Sequence, residues 1–282
     1  MELTLGVTLA VLGAGLLHAS WNALLKSAPG GDALLDTATV VAGSALWGLA
    51  VVPFVPLPAP AAWPYMAVSA VIHFGYYLTL AQAYRTGDLS FAYPLMRGSA
   101  PLIVALLGVV FLAELPSIPT ALGIVLISLG IVSIAFVGRR KHPPAAAYWA
   151  FANAALIALY TLVDASGARS SGNAASYVSW LIFLESIPFL AWIAARRGRS
   201  AVRYVRASAA RGLVGGACSL AAYGIVLWAM TLAPVAAVAA LRETSVLFAA
   251  LMGTLWLKEG FGLPRVAGAA SVVLGIAALK LG

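Results

Sequence analysis

The chain has 282 residues, 62% of them hydrophobic and only 9% charged, with a formal net charge of +8 and a mean hydropathy of +0.98. Water-soluble domains carry about 25% charged residues, so a soluble fold is excluded. The basic excess falls in short segments between apolar runs, where membrane orientation accounts for it and nucleic-acid binding does not.

A hydrophobic chain crosses lipid only as helices or as a closed barrel, and apolar runs of roughly 20 residues without period-two alternation select helices. In chain order the expected spans are 4–25, 33–55, 62–84, 88–112, 117–138, 145–167, 174–195, 209–232, 234–256 and 262–281. The first residues, Met1 to Leu5, carry Glu2 and no basic segment, and the apolar stretch runs on as a full span, so no secretory signal peptide is evident. Arg85-Thr86-Gly87-Asp88 forms a turn between the third and fourth spans, and Pro234 separates the eighth from the ninth. Joints this short make neighbouring helices antiparallel. The longest connection, near 196–208, is rich in arginine. Cys218 is the single cysteine, which rules out an intrachain disulfide and suggests no metal cluster.

Sliding the sequence by 145 residues aligns 92–131 with 237–276 without a gap. Identities fall at Ala92/Ala237, Arg97/Arg242, Gly108/Gly253, Glu114/Glu259, Pro119/Pro264, Gly123/Gly268 and Gly130/Gly275, among others. Matches in Arg, Glu and Pro are rare in membrane sequence, so the chain is read as a duplication, with repeats over 1–142 and 143–282. The expected fold is therefore all-α and integral to the membrane, with ten transmembrane helices arranged as two five-helix repeats. Five is odd, so the second repeat enters the bilayer upside down. Inverted repeats of this kind support alternating access around a site near the midplane.

The odd-numbered connections hold Lys26, Arg85, Arg139-Arg140-Lys141, the arginines of 196–211, Lys258 and Arg265. The even-numbered connections and the tails hold Arg169 and Lys280 alone. The positive-inside rule then places the 196–208 connection in the cytoplasm and both termini outside. A multi-pass protein of a cell membrane, the inner membrane in a bacterium, is the expected setting.

Phe111-Leu112-Ala113-Glu114 and Trp256-Leu257-Lys258-Glu259 each close a fourth helix of a repeat, and each is followed by a proline and a glycine-spaced helix. With these segments and His18-Ala19-Ser20-Trp21-Asn22-Ala23 in the first helix, the chain resembles the drug/metabolite transporter superfamily, in its EamA-type ten-helix branch. The resemblance covers essentially the whole chain. It implies secondary transport of a small metabolite, and it specifies the fold better than the substrate, since members export amino acids, drugs and other metabolites. Members often read as having cytoplasmic termini, and the loop charge here says otherwise.

Ionisable groups inside a bilayer cost about 2.5–3.5 kcal/mol each, so each needs a reason. Arg97 and Arg242 fall near the middle of the fourth and ninth helices as repeat mates, aimed at one cavity. Two guanidiniums there make a clamp for carboxylate, phosphonate or phosphate; the resemblance implies the same, since phosphate translocators of the superfamily use basic residues on these helices. The alternative is internal neutralisation by Glu243, Glu185 or Asp164. On the sixth helix Tyr160 and Asp164 share one face at i, i+4, as His18 and Asn22 do on the first. These four either line the cavity, with Asp164 or His18 exchanging a proton, or act as polar glue between helices.

His73, Tyr76 and Tyr77 form a stripe on the third helix. His73 is deep enough to meet substrate, whereas Tyr76 and Tyr77 are read as interfacial belt or packing. Trp21 and Trp228 are further candidate aromatic walls. Substrate-binding candidates are thus Arg97, Arg242, His18, Asn22, His73 and Tyr160; proton-coupling candidates are Asp164, Glu185 and Glu243. Glu114 and Glu259 are read as structural caps or loop partners, and Lys26 as snorkelling to the interface.

No Walker loop and no His-Glu-x-x-His motif occurs, so neither an ATP-driven pump nor a metal-dependent membrane enzyme is expected, and no cofactor. The expected partners are the lipid bilayer, a small-molecule substrate and protons, with the chain acting as a monomer or a homodimer. The leading reading is a transporter of an anionic or zwitterionic metabolite, such as an amino acid or phosphonate-type compound. The second reading is export of aromatic or cationic amphipathic compounds.

Overall fold

A computed structural model of the chain describes residues 3–26, 32–87, 89–136, 143–249 and 263–282. Among these residues there is no strand. The helices are α1 (Leu5–Lys26), α2 (Ala33–Val51), α3 (Trp63–Thr86), α4 (Leu89–Leu112), α5 (Ile118–Ala135), α6 (Pro144–Ser170), α7 (Ala174–Arg197), α8 (Arg199–Ala207), α9 (Ala209–Leu232), α10 (Val235–Arg242), α11, whose described part is 245–249, and α12 (Leu263–Lys280). Polar residues start several of them. Asp32 accepts from the amides of Leu34 and Leu35, Ser117 from Thr120 and Asn173 from Ser176, which satisfies first-turn donors that lipid cannot.

Seven of the described helices are long and apolar enough to cross a membrane: α1, α2, α4, α5, α6, α7 and α9. α3 has the length, and its hydropathy is lowered by His73, Tyr76, Tyr77, Gln82 and Arg85. Two expectations are corrected. The arginine-rich connection at 196–208 contains the short helix α8, entered through Gly198 at φ 56°. The expected continuous span 234–256 is interrupted: α10 ends at Arg242, and Glu243 and Thr244 form a turn before the chain becomes helical again. There the hydrogen bonds tighten to i→i−3, from Glu243 N to Ala240 O and from Thr244 N to Leu241 O, both 3.1 Å. Residues 250–262, which hold the Trp256–Glu259 segment, lie outside the described residues.

The packing repeats itself when the two halves are exchanged. α1 packs on α9 as α6 packs on α3, and α2 packs on α9 as α7 packs on α3. The pairs α2·α7 and α5·α12 are their own mates. The α5·α12 seam shows the sense of the exchange. A Cβ placed on Gly123 would stand 2.7 Å from Gly275 O, and one on Gly130 would stand 2.8 Å from Gly268 O. Numbers rise along one helix as they fall along the other, so these repeat mates run antiparallel. Each contact also maps onto the other under the 145-residue shift, which is the signature of a two-fold relation. The α2·α9 crossing is as close: a Cβ on Gly43 would collide with the backbone of Gly212, and one on Gly216 with that of Gly43.

At the face carrying the termini, Glu114 joins three elements. Its Oε2 accepts from Val235 N at 2.7 Å, capping α10, and its Oε1 lies 2.6 Å from Arg169 Nη1. Arg169 Nε in turn donates to Met230 O at 2.8 Å near the end of α9. The structural reading of Glu114 agrees with this arrangement. Glu259 lies outside the described residues, as does the side chain of Lys26.

Candidate functional site

A cavity of about 150 Å³ opens between the two halves. Its walls come from the second half of α1, the first half of α2, the second half of α3, the first half of α4, and α6, α7, α9 and the end of α10. It therefore runs from mid-height toward the face carrying the α1–α2 and α3–α4 connections. The other half of the bundle is filled by Leu162, Tyr177, Leu181, Leu227, Met230 and Val235–Leu241, all buried. An engineered cavity of this volume holds one benzene-sized molecule, so the ligand that fits is small.

All six substrate-binding candidates are in the wall: His18, Asn22, His73, Arg97, Tyr160 and Arg242. Arg97 and Arg242 are each 4% exposed, and between them sits Glu243, which is fully buried. Arg97 Nε is 2.5 Å from Glu243 Oε2, and Arg242 Nη2 is 3.2 Å from Glu243 Oε1. Two guanidiniums thus share one carboxylate, and the group keeps one positive charge. The 145-residue shift gives the reason, since the partner position of Glu243 in the first repeat is Gly98. A side chain there would meet Val132 Cγ2 at 2.7 Å and Ser128 O at 3.0 Å, so Arg97 has no room for a counter-ion of its own. The broken helix matters here too. The turn at Glu243 lets consecutive residues Arg242 and Glu243 both face inward, which a continuous helix would splay by about 100°.

Also lining the cavity, Glu185 Oε2 lies 3.1 Å from His73 Nδ1, which is 3.0 Å from Ser69 Oγ. Tyr160 stacks on His73 with ring centroids 4.2 Å apart. Asp164 is one layer behind, fully buried, and accepts from Tyr177 OH at 3.0 Å and from Tyr223 OH. Of the three proton-coupling candidates, then, only Glu185 touches the cavity. Asp164 reaches it through Tyr223, and Glu243 is set as counter-ion to the arginines.

Tyr76 and Tyr77, read from sequence as belt or packing, are instead cavity wall, because α3 is enclosed by α6 and α7 rather than by headgroups. Trp21 is in the wall, its Nε1 3.2 Å from His18 Nδ1. Trp228 is 43% exposed on the outer surface of α9 and is no part of it. Asn22 turns its amide back to His18 O at 2.8 Å. Sequence reasoning missed Tyr84, Tyr93, Asn153 and Tyr223, which complete the wall. Three of these carried a signal: Tyr93 precedes Arg97 by four, Asn153 precedes Tyr160 by seven and Tyr84 follows Tyr77 by seven, so each shares a helix face with a residue already singled out. Tyr223 carried none.

The profile of the EamA-like transporter family matches the chain twice, over residues 4–136 and 144–281. A solved structure, described only as a crystal structure of a protein, superposes with a TM-score of 0.76 over 98% of each chain at 18% identity, a likeness of fold alone. No curated protein matches the chain significantly in sequence.

Proposed function

The chain belongs to the EamA-like transporter family and so is a membrane transporter of small molecules; we propose that its substrate is a small anionic or zwitterionic metabolite, moved by alternating access and coupled to protons. The observation that carries this reading is the Arg97–Glu243–Arg242 group, whose three charges leave one unit positive against a cavity wall. Burying such a group is costly unless a partner completes it, and a ligand carboxylate or phosphate does so with paired hydrogen bonds from a guanidinium fork. Arg97 Nη2 is buried behind the cavity wall and has no hydrogen-bond partner among the described residues.

The mechanism follows from the two-fold packing. The bundle is read as ten spans, α10 and α11 together making the ninth, with the two halves inverted about the cavity. Among the described residues the cavity reaches toward the face carrying the α1–α2 and α3–α4 connections, which the loop charges assign to the cytoplasm, and we read this as an inward-facing arrangement. Rocking the halves against each other along the α2·α7 and α5·α12 seams opens the other side. Glu185, at the cavity, and Asp164, held behind it by two phenols, carry the proton. When both are neutral the centre is positive and favours an anion. When both are ionised it is negative and releases one.

A second reading is supported by the aromatic wall, since Trp21, Tyr76, Tyr77, Tyr84, Tyr93, Tyr160 and Tyr223 with Glu185 suit an aromatic cation. A thermal-shift screen of the purified protein against matched anions and cations separates the two. Arg97→Gln and Arg242→Gln should weaken binding of an anionic hit about 10- to 100-fold, one charge-assisted hydrogen bond's worth. Glutamine variants that bind as tightly as wild type while losing stability would make the arginines struts and remove the anion reading.

A further inference from the structure

Asn153 is fully buried on α6, in the cavity wall. Its Nδ2 donates to Tyr76 O at 3.0 Å and to Thr79 Oγ1 at 2.8 Å, both on α3. A backbone carbonyl only accepts, so the contact with Tyr76 fixes which end of the amide is nitrogen. Both amide hydrogens are then used, and rotation is locked from two sides. The remaining atom, Oδ1, has no hydrogen-bond partner among the described residues. A buried acceptor without a partner is rare in folded proteins and points to a missing group. Across the same cavity wall, on α4, which packs against α6, Arg97 Nη2 is a donor without a partner. Both residues line the cavity, so one charged donor and one neutral acceptor stand unpaired, buried just beneath the same wall.

We infer that Asn153 is a second specificity determinant, which selects anions that also carry an N–H or O–H donor, as hydroxy acids and amino acids do, over anions with none. The inference rests on the anion reading above and narrows it. An amide whose orientation is locked discriminates well, because a ligand lacking the donor leaves Oδ1 unpaired in the closed site and cannot be accommodated by turning the side chain. Polar glue alone, the bland account of an asparagine between α3 and α6, explains Nδ2 and leaves Oδ1 unexplained.

The experiment is calorimetric titration of the full chain in detergent with propionate, lactate, alanine and the neutral propanamide. Wild type should bind lactate and alanine at least about 10-fold more tightly than propionate. Asn153→Leu should bring that ratio within about 2-fold. Thr79→Ala, which removes one α3 anchor and leaves Oδ1 in place, should keep the discrimination and so separates recognition from packing. Equal affinity for lactate, alanine and propionate in wild type overturns the inference even if Asn153→Leu does not fold. Discrimination that persists in Asn153→Leu overturns it as well. Failure of the anion reading has a different pattern, in which propanamide binds as well as propionate; no heat from any of these probes counts against both.

Discussion

Replacing Glu243 with glutamine should be among the most damaging single changes in the cavity wall, and more damaging than removing either arginine. Glu243 is fully buried and within 2.5 Å of Arg97 and 3.2 Å of Arg242. Glu243→Gln leaves two guanidiniums facing each other in a low-dielectric interior with no anion between them. Stranding one buried charge costs about 3–5 kcal/mol, and the repulsion between the pair adds to it. Arg97→Gln, by contrast, leaves Arg242 and Glu243 paired and neutral. Its loss is one charged hydrogen bond, about 1.5–3 kcal/mol, reduced because the residual positive charge disappears. Thermal unfolding of the purified variants in detergent measures the difference, expected at roughly 2–4 °C per kcal/mol for a chain of this size. The double variant Arg97→Gln/Glu243→Gln should recover part of the Glu243→Gln loss, since it removes one of the repelling charges. If Arg97→Gln is as destabilising as Glu243→Gln, or if the double variant is the sum of the two, the shared-counter-ion account is wrong.

Gly43→Leu should prevent the α2·α9 crossing, where even a methyl group collides with the Gly212 backbone; loss of the monodisperse peak on size-exclusion chromatography checks it. Glu114→Ala should cost about 1–2 kcal/mol by uncapping α10 and releasing Arg169, visible as a lowered unfolding midpoint, and an unchanged midpoint would show the clamp to be idle. Uptake into liposomes should respond to an imposed pH gradient in wild type, and Asp164→Asn or Glu185→Gln should abolish the response; uptake indifferent to the gradient removes proton coupling. A cysteine at Ser200, in a Cys218→Ser background, should resist an impermeant maleimide added outside intact cells, and efficient labelling would reverse the orientation.

Much of the architecture is written in local sequence. Lipid forbids unpaired backbone, so apolar run length alone placed α1 to α7, α9 and α12 close to where they are, and the arginine and glutamate matches at a fixed shift revealed the duplication. The depth of Arg97, Arg242, His73 and Tyr160 is a matter of counting 1.5 Å per residue, and all four line the cavity. Partnership is another matter. Nothing local distinguishes Glu243 from Asp164 or Glu185 as the arginines' counter-ion. That choice depends on a helix broken between Arg242 and 245, and on Gly98 being pressed against Val132 and Ser128. Tyr76 and Tyr77 looked interfacial because their height along α3 is visible in sequence, while their direction is set by α6 and α7 closing around that helix. Asn153 offered in the sequence only its spacing from Tyr160, since an amide becomes informative when its neighbours consume one end of it and leave the other bare. Height in the bilayer is a one-dimensional property and the sequence by itself determined it; pairing and facing are relations between distant segments, and only the packed bundle decided them.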